Sequence, residues 1–141
     1  MNTNMRIVLD TNVFLVSISR KSRSHWLFEA ILDGQIELCL TNEILTEYEE
    51  MLATHWNASV AQTTIQTLLK TKTVHLFDLF FRFNLISSDE EDNKFVDCAV
   101  VSNADYLITN DKHFAVLKKI VFPPVNVISL DAFETLLRTQ P

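Results

Sequence analysis

The 141-residue sequence contains a single glycine, Gly34, and only two cysteines, Cys39 and Cys98. One glycine cannot supply the glycine-rich loops with which dinucleotide-binding and P-loop proteins hold phosphates. The cysteines lie far apart in apolar segments without a CxxC partner, so we expect two buried free thiols in a reducing compartment. No apolar run reaches the roughly 18 residues of a membrane span. Residues 1–6 also lack the pattern of a secretory signal, and we therefore expect a cytoplasmic protein without a membrane partner.

The sequence has no excess of positive charge, because 18 acidic and 12 basic residues give a formal net charge of −6. Proteins that bind nucleic acids usually present a basic surface, so the overall charge argues against such a partner. The positions of the charges weaken that argument. Several acids are concentrated in residues 89–92, whereas Arg20, Lys21 and Arg23 form a basic cluster. The charge balance alone leaves the class of partner open.

Apolar residues make up 48% of the chain and include ten phenylalanines, enough for one domain over residues 1–141 with a single core. Strands are predicted at residues 7–9, 36–40, 106–108 and 125–128. Helices are predicted around residues 13–16 and at 26–32, 42–52, 58–69, 89–102 and 130–137. This alternation predicts a three-layer α/β/α sandwich with a mostly parallel central sheet.

The stretch from Thr73 to Ile86 is harder to interpret. Its apolar residues alternate with more polar ones, which favours an extended segment with one apolar face. That face is buried either in the core or against a partner subunit, and the pattern does not separate the two.

Four acidic residues follow predicted strands or lie in the helices next to them: Asp10, Glu47, Asp92 and Asp111. Ligands bind beyond the carboxyl ends of the strands in open parallel sheets, so carboxylates delivered there from distant parts of the chain can meet. Two carboxylates about 4 Å apart repel by roughly 4 kcal/mol at an effective dielectric constant near 20. Three or four together need a divalent cation or a shared proton, and their hard oxygen ligands suit Mg²⁺ or Mn²⁺. The sequence therefore predicts a metal-dependent enzyme.

The motifs that carry these acids resemble those of the PIN domain, in the same order and with approximately the same spacing. They are Asp10-Thr11-Asn12 after the first strand, a helical glutamate after Thr41, Asp92-Asn93-Lys94-Phe95, and Thr109-Asn110-Asp111. The chain is most similar to the bacterial branch described as toxin components of toxin–antitoxin systems. The resemblance implies an endoribonuclease that depends on Mg²⁺ or Mn²⁺ and leaves a 5′-phosphate and a 3′-hydroxyl. The partners it implies are an RNA substrate, an antitoxin protein and a second copy of the chain in a homodimer.

The resemblance also implies roles for individual residues. Asp10, Asp92 and Asp111 hold one or two ions, and Glu47 completes the outer shell or holds a second ion. The supporting hydrogen bonds to carboxylates or phosphate are expected from three neighbouring polar residues, Thr11, Asn12 and Thr109. The basic cluster of Arg20, Lys21 and Arg23 is expected to steer the RNA backbone.

Asp97 stays open at this point. Some PIN branches have a second acid there, but five residues on an ideal helix leave its side chain about 140° from that of Asp92. Asp97 therefore either joins the metal site or pairs with Lys94 or solvent. Lys112 and His113, which follow Asp111, are expected to face solvent.

Three other classes of protein are alternatives to the nuclease. An aspartyl phosphatase usually has a second acid two residues after its nucleophile, where this chain has Asn12. A phosphoacceptor receiver domain carries its aspartate on a strand in the middle of the chain, and Asp10 comes too early for that. A non-catalytic PIN-like interaction module, bound to an antitoxin or to an RNA-processing complex, remains the main alternative.

Overall fold

The computed structural model describes residues 4–79, 82, 90–119 and 124–139. Within them lie the strands β1 (Met5–Leu9), β2 (Ile36–Leu40), β3 (Val74–Leu76), β4 (Tyr106–Ile108) and β5 (Val127–Ile128). The helices are α1 (Thr11–Ile18), α2 (His25–Leu32), α3 (Asn42–His55), α4 (Ala58–Lys70), α5 (Glu90–Ser102) and α6 (Leu130–Arg138). A 3₁₀ helix covers Lys112–Lys119. No helix in these residues is both long and apolar enough to cross a membrane.

The strands form one sheet in the order β3-β2-β1-β4-β5, and all four neighbouring pairs are parallel. The chain moves outward from β1 to β2 and β3, and then returns to the other side of β1 for β4 and β5. The order therefore reverses between β1 and β4, which is where open α/β sheets form a binding crevice at their carboxyl edge. The predicted α/β/α sandwich with a parallel sheet is confirmed.

The core surrounds the central strand. Ile7, Val8 and Leu9 are all fully buried, as expected for a strand covered by helices on both faces of a parallel sheet. The largest buried side chains on the surrounding helical segments include Phe14, Tyr48, Phe114 and Phe133. This packing fixes the ends of β1 and β4, from which the site is built.

Most of the predicted elements are present with small shifts at their ends. The last strand is shorter than expected, because it begins at Val127 and not at Val125. Ser24 precedes α2, but its side chain makes no capping hydrogen bond. Gly34, which follows α2, has a φ of 78°, the left-handed conformation that favours glycine.

Two segments differ from the prediction or fall outside what the structure describes. The alternating stretch begins with β3, but residues 80, 81 and 83–89 are not among the described residues, so the start of the helix predicted at residues 89–102 also lies outside them. The 3₁₀ helix was not predicted. Its buried residues Phe114 and Leu117 are three positions apart, which matches the 3₁₀ repeat of three residues per turn.

Candidate metal centre

The site begins with the pairing of β1 and β4. Leu9 lies opposite Ile108, and the ladder continues with a hydrogen bond of 3.2 Å from the Asp10 N–H to the Ile108 carbonyl. The residues that follow each strand, Asp10 and Thr109, are therefore neighbours at the carboxyl edge of the sheet. The Thr109 hydroxyl donates a hydrogen bond to Asp10 Oδ2.

Asp10 has a structural task besides any chemical one. Its Oδ1 accepts a hydrogen bond of 2.8 Å from the Val13 N–H and so caps α1. The residue is only 7% exposed. Burial raises the pKa of the Asp10 carboxyl above its ordinary value, the bonds from Thr109 and Val13 oppose that shift, and the negative charges of Asp111 and Glu47 add to it. A cation beside Asp10 would stabilise the ionised carboxylate and so offset the effects of burial and of the neighbouring negative charges.

Thr109 also positions the last acid. Its hydroxyl oxygen accepts a hydrogen bond of 3.0 Å from the Asp111 N–H, while the hydroxyl hydrogen is directed at Asp10. One side chain thus connects the Asp10 carboxylate with the backbone that carries Asp111. Asp111 Oδ1 in turn accepts a hydrogen bond of 2.9 Å from the His113 N–H.

Glu47 is delivered by α3, which begins after the capping residue Thr41. The neighbouring Tyr48 is fully buried, and its hydroxyl donates to the Leu9 carbonyl at 2.5 Å, so it anchors α3 to the end of β1. The Glu47 carboxylate accepts a hydrogen bond from the Thr11 hydroxyl and lies 2.5 Å from Lys94 Nζ. Glu47 is therefore held in place, and part of its charge is compensated.

Asp92 comes from the first turns of α5. Its Oδ2 lies 3.7 Å from His113 Nδ1, which in turn lies 3.5 Å from Asp111 Oδ1. Asp92, Asp111 and His113 each offer one donor atom, and these three atoms lie within 4.8 Å of one another. Two oxygens and one imidazole nitrogen at such separations fit a divalent cation.

All four predicted acids line a single cleft of about 370 Å³. Its acidic lining consists of Asp10, Glu47, Glu50, Asp92 and Asp111. Its remaining lining consists of Thr11, Asn12, Met51 and Phe95. An adjoining cavity of about 290 Å³ shares Asp10, Asn12 and Asp111 with it. The two cavities together form a groove along the carboxyl edge, with Asp10 and Asp111 facing both.

Some predicted site residues are not brought to this cleft. Asp97 is 1% exposed and therefore does not face solvent, but it is not among the residues that line the cleft. Arg20, Lys21 and Arg23 are exposed and follow the far end of α1. An eight-residue helix is about 12 Å long, which separates them from Asp10. Arg20 lines a different cavity, together with His25 and Phe28.

Three residues near the site were not anticipated from the sequence. His113 is exposed, as expected, but its ring also lies between two of the acids. Lys94 pairs with Glu47, and Glu50 joins the lining one turn of α3 later. The spacing of Glu47 and Glu50, three residues apart on one helix face, was the only available signal for Glu50. Nothing local in the sequence signals that Lys94 meets Glu47 or that His113 meets Asp92. The first contact depends on how α5 packs against α3, and the second on how the 3₁₀ helix lies beside α5.

Comparison with known proteins agrees with this geometry. The PIN domain family model matches residues 6–113, so the chain belongs to the PIN domain family. No curated protein matches the sequence. The family membership and the carboxylate cluster support a nuclease that uses divalent metal ions.

Several solved structures share the fold. The chain is similar to VapBC2 from Rickettsia felis, bound to a DNA fragment from its promoter, with 17% identity, a TM-score of 0.63, and coverage of 90% of this chain and 100% of that one. It is similar to VapBC-1 from nontypeable Haemophilus influenzae, with 16% identity, a TM-score of 0.59, and coverage of 89% and 98%. The PIN domain endonuclease Utp24 matches with 14% identity, a TM-score of 0.53, and coverage of 89% and 84%. At these identities the likeness concerns the fold.

Proposed function

We propose that this protein is an endoribonuclease that depends on Mg²⁺ or Mn²⁺ and serves as the toxin of a toxin–antitoxin pair. The observation that carries the proposal is that carboxylates from four separate parts of the chain line one cleft at the carboxyl edge of the sheet. Such a concentration of negative charge is unfavourable without a cation. Membership of the PIN domain family supports the choice of a nuclease over other metal-dependent enzymes.

Asp10, Asp92 and Asp111 would hold the ion, and Glu47 would act from the edge of the site. When bound, a divalent cation lowers the pKa of a coordinated water and stabilises negative charge on the scissile phosphate. The Thr109 hydroxyl fixes the Asp10 carboxylate through its hydrogen bond and so keeps that ligand in one orientation. Asn12, which is exposed in the cleft, can donate a hydrogen bond from its amide to a phosphate oxygen.

We propose that RNA is bound along the groove formed by the two adjoining cavities. The acids cannot attract a phosphate backbone, so the attraction must come from the ion and from basic residues. Arg20, Lys21 and Arg23 lie about one eight-residue helix away from Asp10, which suits contacts with phosphates that flank the scissile one.

The proposed partners and setting follow from the same reasoning. The fold likeness to two VapBC structures supports an antitoxin that binds this protein. A homodimer is proposed from the family resemblance, and residues 1–141 are proposed to form one domain. Cys39 and Cys98 are buried free thiols, which suits a cytoplasmic location. Sedimentation at micromolar concentration tests the dimer, and a purely monomeric profile would count against it.

The nuclease proposal is tested by incubating the purified protein with end-labelled single-stranded RNA and Mn²⁺, with and without chelator. We expect cleavage only in the presence of the ion. Asp10→Asn should reduce the rate by about 10²-fold or more, the scale on which loss of one preorganised electrostatic contact acts. Asp33→Asn, which removes an exposed carboxylate outside the cleft, should leave the rate unchanged.

Two results would overturn the nuclease reading. One is a lack of metal-dependent cleavage by the wild-type protein, and the other is equal cleavage by the Asp10→Asn variant purified in the same way. Either result would favour the non-catalytic interaction module. The toxin role has a separate test, in which induced expression should arrest bacterial growth and Asp10→Asn should relieve the arrest.

A further inference from the structure

His113 is the one nitrogen donor in the described part of the chain that lies among the candidate metal ligands. It is the second residue of the 3₁₀ helix, two positions after Asp111. Its side chain is 60% exposed, so the ring is accessible to solvent.

The separations of the donor atoms fit a shared ion. Donors that bind one ion at about 2.1 Å lie about 3.0 to 3.6 Å apart for bond angles between about 90° and 120°. His113 Nδ1 lies 3.5 Å from Asp111 Oδ1 and 3.7 Å from Asp92 Oδ2. The two carboxylates place oxygens within 4.8 Å of each other, so a modest movement of these side chains brings all three donors to a common ion. The hydrogen bond from the His113 N–H to Asp111 Oδ1 holds the two residues together at this point.

The chemistry of the third donor matters for the identity of the ion. Mg²⁺ takes oxygen ligands almost exclusively and keeps several waters. Imidazole suits transition ions, whose affinities for such sites rise along the series that begins with Mn²⁺. A site of two carboxylates and one imidazole therefore favours the transition ions over Mg²⁺. A site built only from carboxylates would bind these ions with more similar affinities.

We propose that His113 is a ligand of the ion held by Asp92 and Asp111, and that it makes the centre select Mn²⁺ and its heavier first-row neighbours over Mg²⁺. This inference rests on the proposed function in one respect, namely that a divalent cation occupies the cleft. The competing explanation is that protonated His113 forms only a surface ion pair with the two acids. Such a pair would contribute little and would not change with the metal offered.

Direct metal binding separates the two explanations without any assay of activity. The free Mn²⁺ signal in electron paramagnetic resonance gives the Mn²⁺ affinity, and displacement by Mg²⁺ gives the Mg²⁺ affinity. The proteins to compare are the wild type, His113→Asn and the control His55→Asn, which removes an exposed imidazole from the last residue of α3. Thermal unfolding in chelator verifies that each variant is folded.

We expect His113→Asn to weaken Mn²⁺ binding by about tenfold or more, since even changes behind the ligands of a metal cost 10–100-fold in affinity. Mg²⁺ binding should change far less, so the preference for Mn²⁺ over Mg²⁺ should shrink by nearly the same factor. His55→Asn should match the wild type for both ions. A preference that is unchanged in His113→Asn would overturn the role of His113 and leave the metal-dependent nuclease standing.

A second measurement needs no variant. Electron spin echo modulation of bound Mn²⁺ should show coupling to an imidazole ¹⁴N nucleus, and the modulation should change when the protein is labelled with ¹⁵N-histidine. Absence of that coupling in wild-type protein with bound Mn²⁺ would exclude His113 as a ligand. If the wild type bound neither ion, both the inference and the proposed metal-dependent function would fail.

Discussion

The two walls of the cleft differ in how firmly the protein holds them. We call Asp10, which lines the cleft, and Thr109, which donates a hydrogen bond to it from outside the lining, the inner wall; they are 7% and 4% exposed. We call Asp111, which lines the cleft, and the neighbouring His113 the outer wall; their side chains are 39% and 60% exposed. The inner wall is fixed mainly by contacts within the protein, and the outer wall is open to water and ligands.

The inner and outer walls therefore have different roles in the site. Burial and neighbouring negative charges raise the pKa of Asp10. Its ionised carboxylate therefore destabilises the folded protein until a cation is bound. The outer wall is open to solvent, and it is where ions and substrate can exchange. Substitutions in the inner wall should therefore change both the stability of the protein and its metal affinity. Substitutions in the outer wall should change metal affinity alone.

The largest effect on stability is expected from Thr109→Val in the inner wall. Valine keeps the shape but removes the donor to Asp10 and the acceptor for the Asp111 N–H. Loss of a partner to a buried group should lower the free energy of unfolding by about 1–3 kcal/mol. Metal affinity should fall by about 10–100-fold. Denaturant unfolding measures the loss of stability, and Mn²⁺ titration measures the loss of metal affinity. Thr109→Ser, which keeps the hydroxyl, should retain most of the wild-type stability and metal affinity.

A smaller effect is expected from Lys94→Met at the side of the cleft. Lys94 Nζ lies 2.5 Å from Glu47, and their side chains are 11% and 25% exposed. Removal of the cation leaves a half-buried carboxylate next to other acids, which should cost about 1–2 kcal/mol, less than for a fully buried pair. Chemical denaturation provides the measurement. Lys112→Met, an exposed control, should change stability by less than about 0.5 kcal/mol, and equal losses in the two variants would refute the role given to the pair.

The pH dependence of the metal-free protein provides a sharper test of the inner wall. Because the pKa of Asp10 is raised in the folded protein, its contribution favours folding fully below the ordinary value of 3.8 and is lost as pH rises through the folded pKa. In the Asp10→Asn variant, the asparagine can still cap α1, but its side chain does not ionise. In chelator, the variant should therefore gain stability relative to the wild type as pH rises from about 4 towards neutrality.

Unfolding curves of both proteins over this pH range measure that gain. Addition of Mn²⁺ should stabilise the wild type and leave Asp10→Asn nearly unaffected, because the ion binds the native wild-type site. A constant difference between the two proteins at every pH would show that burial of Asp10 carries no electrostatic cost.

The smallest effect on stability is expected from replacing Arg20, Lys21 and Arg23 together by glutamine. All three are exposed, so the free energy of unfolding should change by less than about 0.5 kcal/mol. RNA binding should become less sensitive to salt, with the slope of log affinity against log salt reduced by up to about 2 if all three contact phosphates. Binding titrations at several salt concentrations measure this slope. An unchanged slope would remove these residues from the RNA-binding surface.

Local patterns in the sequence predicted the sheet and the proximity of Asp10 and Asp111, whereas the choice of Glu47 rested on the family resemblance. Buried runs such as Ile7 to Leu9 mark the strands, and the rule that ligands bind at the carboxyl edge brings the residues after them together. A hydrogen bond from Thr109 to a carboxylate or to phosphate was expected, and in the structure its hydroxyl donates to Asp10. Its second bond, to the backbone of Asp111, follows only from the conformation of the turn.

The rest depends on contacts between distant segments. Lys94 meets Glu47 because α5 packs against α3, and no spacing within either helix predicts this. The burial of Asp97 and its position outside the cleft depend on the same packing. Helical geometry had already indicated that Asp92 and Asp97 face different directions, but it could not tell whether Asp97 would face the interior or water.

The anchoring of α3 by Tyr48 makes one natural chromophore a reporter of the whole assembly. Its ring stacks on Phe14 at a centroid distance of 3.9 Å, and burial raises the pKa of its phenol well above the ordinary value of 10. A group with a raised pKa favours folding below its ordinary value and ceases to do so in stronger alkali. The tyrosinate absorbance of Tyr48 should therefore emerge together with alkaline unfolding, and it would mark the moment when this helix separates from the central strand.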